Sequence, residues 1–423
     1  MINAPRGTND ILPPASSYWQ YIETKAHELF TVYDYQEIRT PIFEYTELFS
    51  RGIGEVTDIV EKEMYTFEDK GGRSITLRPE GTASVVRSFL ENKIYGQSQP
   101  TKYYYMGPMF RYERPQSGRY RQFHQIGIEA LGCNDPYLDA EVIALGVNFV
   151  QNLGLSDLQV LINSIGCPDC RPDFVEQLQN FVESHREKFC SDCLRRLDKN
   201  PLRILDCKNE ECQNALKDAP RILEHLCSDC EEHFSLVKEN LDLLDIDYII
   251  EPQLVRGLDY YTNTAFEVKF TGLGAQDTIF GGGRYNGLTE EIGQRSIPGI
   301  GFALGVERLL LTLEEQDIDL PVDSGLDLFI ITIGDRARRK AFTLNNELRN
   351  RGVKTDMDYL DRSVSSQMKT ADRKEADNTI IIGEEELNKG VVTLHNMESG
   401  QEQEVSFENI VDTINDLSSE EVK

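Results

Sequence analysis

The sequence predicts an α+β body of antiparallel strands with a small inserted domain, followed by a compact α/β unit. Three observations predict it. Two long extended arms between residues 102 and 132 are joined by a polar loop; a cysteine-rich helical stretch interrupts the extended segments; and after residue 325 strand and helix patterns alternate. At 423 residues the chain holds roughly three domains' worth of polypeptide by the usual length prior. Its 39% hydrophobic and 27% charged residues, with no long apolar run, exclude collagen-like, disordered and membrane-spanning classes.

From Ser17 to Val32 the apolar residues Trp19, Ile22, Ala26, Leu29 and Phe30 recur at helical spacing after Pro13-Pro14, which predicts an amphipathic helix. Gln36 to Thr40 reads as a short strand stopped by Pro41, which has no N–H to give to a ladder. Tyr103 to Glu113 and Arg121 to Leu131 form the arms of a hairpin. Thr264 to Phe270 and Pro298 to Val306 are further strands that flank Gly281-Gly-Gly-Arg-Tyr-Asn-Gly287, a loop by composition, and a helix follows from Glu307 to Leu313. Residues from about 167 to 233 read as the inserted domain. Leu320-Pro321 and Asp323-Ser324-Gly325 read as a linker, dividing a body of residues 1–325 from a closing unit of residues 326–423. In that unit Leu328 to Ile333, Thr379 to Ile382 and Val391 to Leu394 are strands, and Arg338 to Arg351 is a helix.

Strand parity locates the chemistry. On the second hairpin arm Phe123, Gln125, Gly127 and Glu129 share one face, while His124, Ile126, Ile128 and Ala130 share the other and suit packing on helices. The first face lines up an aromatic ring, an amide, a gap that a ligand can approach and a carboxylate; a solvated sheet face is the competing reading. Arg111, Arg114, Arg119 and Arg121 bracket the turn, and guanidinium forks match phosphate oxygens. Gly299, Gly301, Ala303 and Gly305 form a nearly bare face on which something flat can lie, unless the glycines serve only close helix packing. Arg308 follows at a helix N-terminus, a favourable place for an anion. In Leu77-Arg-Pro-Glu-Gly-Thr82, Thr82 is a plausible helix cap and Glu80 projects from a turn. Arg256, Tyr260 and Tyr261 lie beside Gly257. There is no GxxxxGK[ST] and no strand-to-helix GxGxxG, so any nucleotide is held by arginines on an antiparallel sheet.

Together these segments resemble class II aminoacyl-tRNA synthetases, specifically the histidyl-tRNA synthetase family. The resemblance spans essentially the whole chain. It rests on the helix and strand ending at Pro41, on Phe110-Arg-Tyr-Glu-Arg-Pro115 with Arg121-Gln-Phe-His-Gln125, on Gly301-Phe-Ala-Leu-Gly-Val-Glu-Arg308, and on the stretches Leu254 to Thr262 and Gly282 to Leu288. It implies the class II antiparallel-sheet catalytic fold with a C-terminal α/β anticodon-binding domain. It implies a ligase that activates L-histidine with ATP and Mg²⁺ and passes it to tRNA(His). By the same resemblance Arg111, Glu113, Arg119, Phe123 and Arg308 bind ATP; Glu80, Gly81, Thr82, Arg111, Gln125, Glu129, Arg256, Tyr260 and Tyr261 bind histidine; and Arg111, Arg256 and Arg308 are catalytic. It also implies a homodimer joined through the first motif. A rival in another class is the non-catalytic, synthetase-like regulatory subunit of ATP phosphoribosyltransferase. Such paralogues typically lack the closing domain and the arginine at the Arg256 position, both of which this chain has.

Eight of the nine cysteines, all but Cys133, lie between Cys167 and Cys230. The N-terminus has no apolar signal segment, so the expected compartment is the reducing cytoplasm, where these are thiols or metal ligands. Cys167, Cys170, Cys190 and Cys193 have a zinc-ribbon spacing, with Cys227, Cys230 and Cys207 or Cys212 as other possible ligands and a metal-free thiol cluster as the alternative. The net charge of −28 argues against a general polyanion-binding or membrane coat. Between Gly334 and Lys374, however, eleven Lys and Arg face six Asp and Glu, a local excess suited to a nucleic-acid backbone.

Overall fold

The computed structural model describes residues 2–54, 57, 59–270, 272, 277–322 and 325–414. The chain divides into two compact units, Met1–Leu320 and Pro321–Lys423. Of the expected linker, Asp323 and Ser324 lie outside the described residues.

The first unit is built on an eight-stranded sheet in the order Gln36–Glu37, Thr101–Phe110, Gln122–Leu131, Gly299–Gly305, Thr278–Arg284, Thr262–Lys269, Gln159–Ser164, Ile249–Ile250. Pairing is antiparallel across the middle and parallel only at the two edges. The expected first helix runs Ala15–Val32 and buries Ile22, Ala26 and Phe30, one residue per turn. It lies on the apolar face of the hairpin, with Trp19 edge-on to His124 and Phe30 beside Tyr104 and Phe149. The helix Pro136–Asn152, capped by the Asp135 carboxylate, is apolar nearly all round because it is covered on both sides. At Gly146 a Cβ would meet the Phe280 ring at 2.4 Å, so only glycine lets this helix approach the sheet so closely.

The glycine run is not a loop. Thr278–Arg284 is a central strand, paired on both sides. Composition misled here because the glycines answer to neighbours distant in sequence. A Cβ on Gly282 would meet the Gly301 carbonyl at 2.0 Å, and one on Gly281 would meet the Arg256 guanidinium at 2.5 Å.

The strand ends at Arg284, which is fully buried against the equally buried Asp139. Both Asp139 oxygens accept from Arg284 Nε, at 2.8 and 3.0 Å. Oδ2 also contacts Thr264 Oγ1 at 2.5 Å and His233 Nε2 at 3.0 Å. The remaining guanidinium nitrogens donate to the carbonyls of Cys133 and Asp135 at 2.9 and 3.0 Å.

The cysteine-rich stretch forms the helices Arg171–Ser184, Ser191–Lys199 and Glu210–Leu216. The following helix, Ser228–Leu243, already packs against the body: its His233 belongs to the Asp139 cluster. The expected grouping of Cys167, Cys170, Cys190 and Cys193 is not formed. Cys167 and Cys170 converge with Cys227 and Cys230, while Cys190 and Cys193 converge with Cys207 and Cys212. Sequence spacing shows which pairs share a turn but not which turns meet.

The second unit has a five-stranded sheet ordered Thr355–Met357, Leu326–Thr332, Ala376–Ile382, Val391–Asn396, Glu402–Ser406, parallel in its first three strands and antiparallel in the rest. The helix Asp335–Asn350 buries Ala337, Ala341, Leu344 and Leu348 on it. Several of its basic residues are matched locally, Arg349 and Lys374 by Asp356 and Arg362 by Asp358. The usable positive surface is thus smaller than the count of basic residues suggests. No described helix of either unit is long and apolar enough to cross a membrane.

Because removing one partner strands the other charge in the interior, Asp139→Asn should lower unfolding stability by about 3–5 kcal/mol. Urea denaturation of parent and variant at neutral pH measures it, and an unchanged midpoint would contradict the central place of this pair.

Candidate active site

One cleft over the middle of the sheet gathers Glu80, Thr82, Arg111, Glu113, Arg119, Phe123, Gln125, Glu129, Arg256, Tyr260, Tyr261 and Arg308. Of the residues expected to contact substrate, only Gly81 does not line it; Gly81 is the N-cap of the helix Thr82–Glu91, where a Cβ would meet the Tyr105 ring at 2.3 Å. Thr82 is therefore not the cap but the first helical residue. Glu80 does the capping, its carboxylate accepting from the backbone N–H groups of Thr82 and Ala83 at 2.6 and 2.9 Å.

One end of the cleft is cationic. Arg111 lies 5.2 Å from the Phe123 ring centroid and donates through Nε to the Pro79 carbonyl, which fixes its reach. Arg119 pairs with Glu113 at 3.2 Å, and Arg308 donates to the Thr278 carbonyl at 3.2 Å. Burial pushes Arg308 below the usual guanidinium range, and Arg119 and Arg111 push it the same way. Converging cations of this kind favour an anion between them. Beneath them Ala303 and Gly305 leave a low floor beside Phe123.

The other end is a buried polar knot. Glu129 accepts from Thr82 Oγ1 at 2.6 Å through one oxygen and from Tyr285 Oη at 2.5 Å through the other. Burial is the largest influence and pushes this carboxyl up to about 8, although both hydrogen bonds work against the rise. Burial also pushes Glu80 up, opposed by the N–H groups of Ala83 and Thr82. Among the described residues Gln125 Oε1 is buried without a hydrogen-bond partner, as is Arg256 Nε. Arg256 itself pairs with Glu267 and lies 5.9 Å from the Tyr261 ring centroid.

Two glycines expected to admit ligand instead admit protein. The space above Gly127 holds the Tyr105 hydroxyl, 2.4 Å from where a Cβ would stand, and that above Gly301 holds the Glu129 carboxylate, at 2.1 Å. Tyr105 and Tyr285 both donate to Glu129 and were missed. Parity carried a signal for Tyr105, which shares a face with Arg111. Tyr285 lies just past the glycine strand, where only the strand assignment makes parity meaningful.

The histidyl-tRNA synthetase family profile matches residues 7–309, and an anticodon-binding domain profile matches residues 327–417. The chain belongs to the histidyl-tRNA synthetase family. A histidine–tRNA ligase of Halothermothrix orenii is 64% identical over 98% of this chain and 99% of its own length, and one of Desulforamulus reducens is 54% identical over 96% and 97%. Apo histidyl-tRNA synthetase of S. aureus superposes with a TM-score of 0.84 at 47% identity, covering 98% of this chain and 100% of that one. The antiparallel sheet and its cleft are thus the catalytic fold of class II histidyl-tRNA synthetases, followed by the anticodon-binding domain.

In this synthetase fold Glu129 should leave a mark on stability. Its carboxyl binds a proton in the folded state up to about pH 8, whereas the unfolded group releases it near 4.5. The folded state therefore holds more protons between those values, and stability falls as pH rises through that window, by up to about 1.4 kcal/mol per pH unit. Glu129→Gln should flatten that slope, measured by urea denaturation at pH 5, 6.5 and 8 without substrate; parallel slopes would contradict the assignment.

Proposed function

We propose that this chain is a histidine–tRNA ligase that converts L-histidine and ATP to histidyl-adenylate and pyrophosphate, then transfers histidine to the 3′ end of tRNA(His). The observation that carries this reading is a single cleft with arginines at one end and a buried carboxyl among hydroxyls at the other, in a chain of this family. A triphosphate suits the first end. An imidazole, whose two ring nitrogens flank one carbon and point apart, suits the second.

In this reading Phe123 stacks on adenine over the low floor of Ala303 and Gly305. Arg111 clamps the α-phosphate, and Arg119 and Arg308 take the terminal phosphates. Glu80, Thr82 and Gln125 receive the substrate ammonium, for which the unpartnered Gln125 Oε1 is a ready acceptor. Tyr260 shapes that wall, and Gly81 behind it leaves room for the Tyr105 ring. Glu129 and Tyr261 meet the two imidazole nitrogens, and Arg256 lies against the α-phosphate and the substrate carboxylate. An oxygen of that carboxylate attacks the α-phosphorus and pyrophosphate leaves; a ribose hydroxyl of the tRNA then takes the acyl group and AMP leaves. The first step brings two anions together, so positioning and charge neutralisation supply its catalysis, with no protein nucleophile. Glu113, a carboxylate among the arginines, offers the hard oxygen donor that Mg²⁺ prefers, and Mg²⁺ bound there would add neutralising charge.

The closing unit, residues 326–423, would bind the anticodon of the tRNA. The protein would work as a cytoplasmic homodimer. Exposed Ile42, Phe43, Tyr45 and Phe67, around the small sheet of Phe43–Tyr45, Ser74–Leu77 and Thr66–Glu68 just after Pro41, support a subunit interface there.

Histidine-dependent ATP–pyrophosphate exchange tests the substrate. The parent should exchange with histidine and not with proline or threonine, and Arg256→Ala should lose about 100-fold or more in kcat; exchange with another amino acid alone would overturn the reading. Sedimentation at micromolar concentration should give a dimer, and Phe43→Glu should shift it to monomer.

A further inference from the structure

The two cysteine groups lie outside the cleft, and the reaction does not use them. In each, the four sulfur atoms all lie within 4.8 Å of one another. The neck group, Cys167, Cys170, Cys227 and Cys230, forms where the chain leaves the body after Gln159–Ser164 and returns at Ser228–Leu243. Its Sγ···Sγ separations include 3.7, 3.8 and 3.9 Å. The inner group, Cys190, Cys193, Cys207 and Cys212, lies within the inserted domain, with Cys190 and Cys207 3.8 Å apart. A disulfide would hold sulfurs at about 2.05 Å. The edge of a zinc–thiolate tetrahedron, with Zn–S at 2.3 Å, is about 3.8 Å.

Thiols also touch at such distances, so the surroundings decide. Cys170, Cys190 and Cys227 are the N-cap residues of three helices of 14, 9 and 16 residues, where the positive helix end favours a thiolate. N–H donors point at the sulfurs as well. Cys167 N donates to Cys170 at 3.3 Å, Asn263 Nδ2 to Cys230 at 3.4 Å, Cys190 N to Cys212 at 3.2 Å and Asn209 N to Cys207 at 3.5 Å. Neutral thiols packed as small hydrophobes need no such donors. Four thiolates held together need a cation among them, and one soft divalent ion per group answers both requirements.

We propose that the chain binds two zinc ions, one in each cysteine group, as closed tetrathiolate sites. Coordination releases the four thiol protons to solvent and leaves a site of net charge −2, with no electron transfer. The sulfurs are too close together to enclose an iron–sulfur core. The neck zinc ties the entry and exit of the inserted domain to the body. Arg171, the residue after Cys170, donates to the carbonyls of Ile165, Gly166 and Tyr261 at 3.0, 3.1 and 2.7 Å, so this tie reaches the backbone of a cleft residue.

The test is elemental analysis of the full chain purified without chelator. Two zinc ions per chain are expected, one in Cys212→Ser, one in Cys227→Ser and two in Cys133→Ser. Should the variants fold poorly, titrating the parent with an organomercurial decides the matter: zinc should leave in step with eight thiols, four per ion. Protein grown with Co²⁺ in place of zinc should show the absorption of tetrahedral thiolate cobalt. One zinc or fewer per chain in the parent, iron in its place, disulfide-bonded cysteines, or eight thiols that react without releasing metal would each overturn the proposal.

Discussion

The buried Asp139–Arg284 pair is the constraint around which the catalytic unit is arranged. Neither charge can be taken out of water unless its bonding capacity is met, and meeting it requires four separated parts of the chain to arrive together. The helix Pro136–Asn152 brings Asp139, the glycine strand brings Arg284, the neighbouring strand brings Thr264, and the helix that closes the insertion brings His233. The next residue after Arg284 is Tyr285, whose hydroxyl reaches Glu129. One ion pair thus sets both the seat of the sheet on its helix and a wall of the cleft.

The cleft is electrostatically divided before any substrate enters. At one end Arg308 sits beside Arg119 and Arg111 and is held there by carbonyls, so an anion placed there would relieve repulsion the fold already contains. At the other, burial suppresses the charge of Glu129 while hydroxyls hold its position. Such an arrangement orders donors and acceptors during folding, so little reorganisation is left for the reaction. The closely packed glycines at Gly281 and Gly301 make room for Arg256 and Glu129, which is how two bulky polar groups fit above a central sheet.

Much of this was legible along the chain. Alternation placed Phe123, Gln125 and Glu129 on one face and turned His124 and Ile126 to the helix-packing face, where Trp19 of the first helix meets His124, because in an antiparallel hairpin the face a side chain takes follows from its position along the strand. The glycine run read as a loop because its need for hydrogen side chains comes from Phe302, Gly301 and Arg256, which no local window contains. Gly127 read as a space for ligand because nothing nearby in sequence announces the Tyr105 ring that fills it. The cysteines paired unexpectedly for the same reason: a CxxC turn presents two ligands, and the choice of partner turn is made by the packing of helices.

By itself, then, the sequence determined whatever depends on covalent neighbours and short repeats: the amphipathic first helix, the hairpin and its two faces, the helix after Gly305, the arginines flanking the turn, and the motifs that mark the family. Tertiary structure alone decided which charges are buried together, which glycines are filled and by what, and which thiols meet. Those outcomes depend on contacts between residues that no local window contains, from Cys190 with Cys207, 17 positions apart, to Asp139 with Arg284 and Glu129 with Tyr285, 145 and 156 apart, and the energies of the buried polar contacts arise only once water has been excluded from between them.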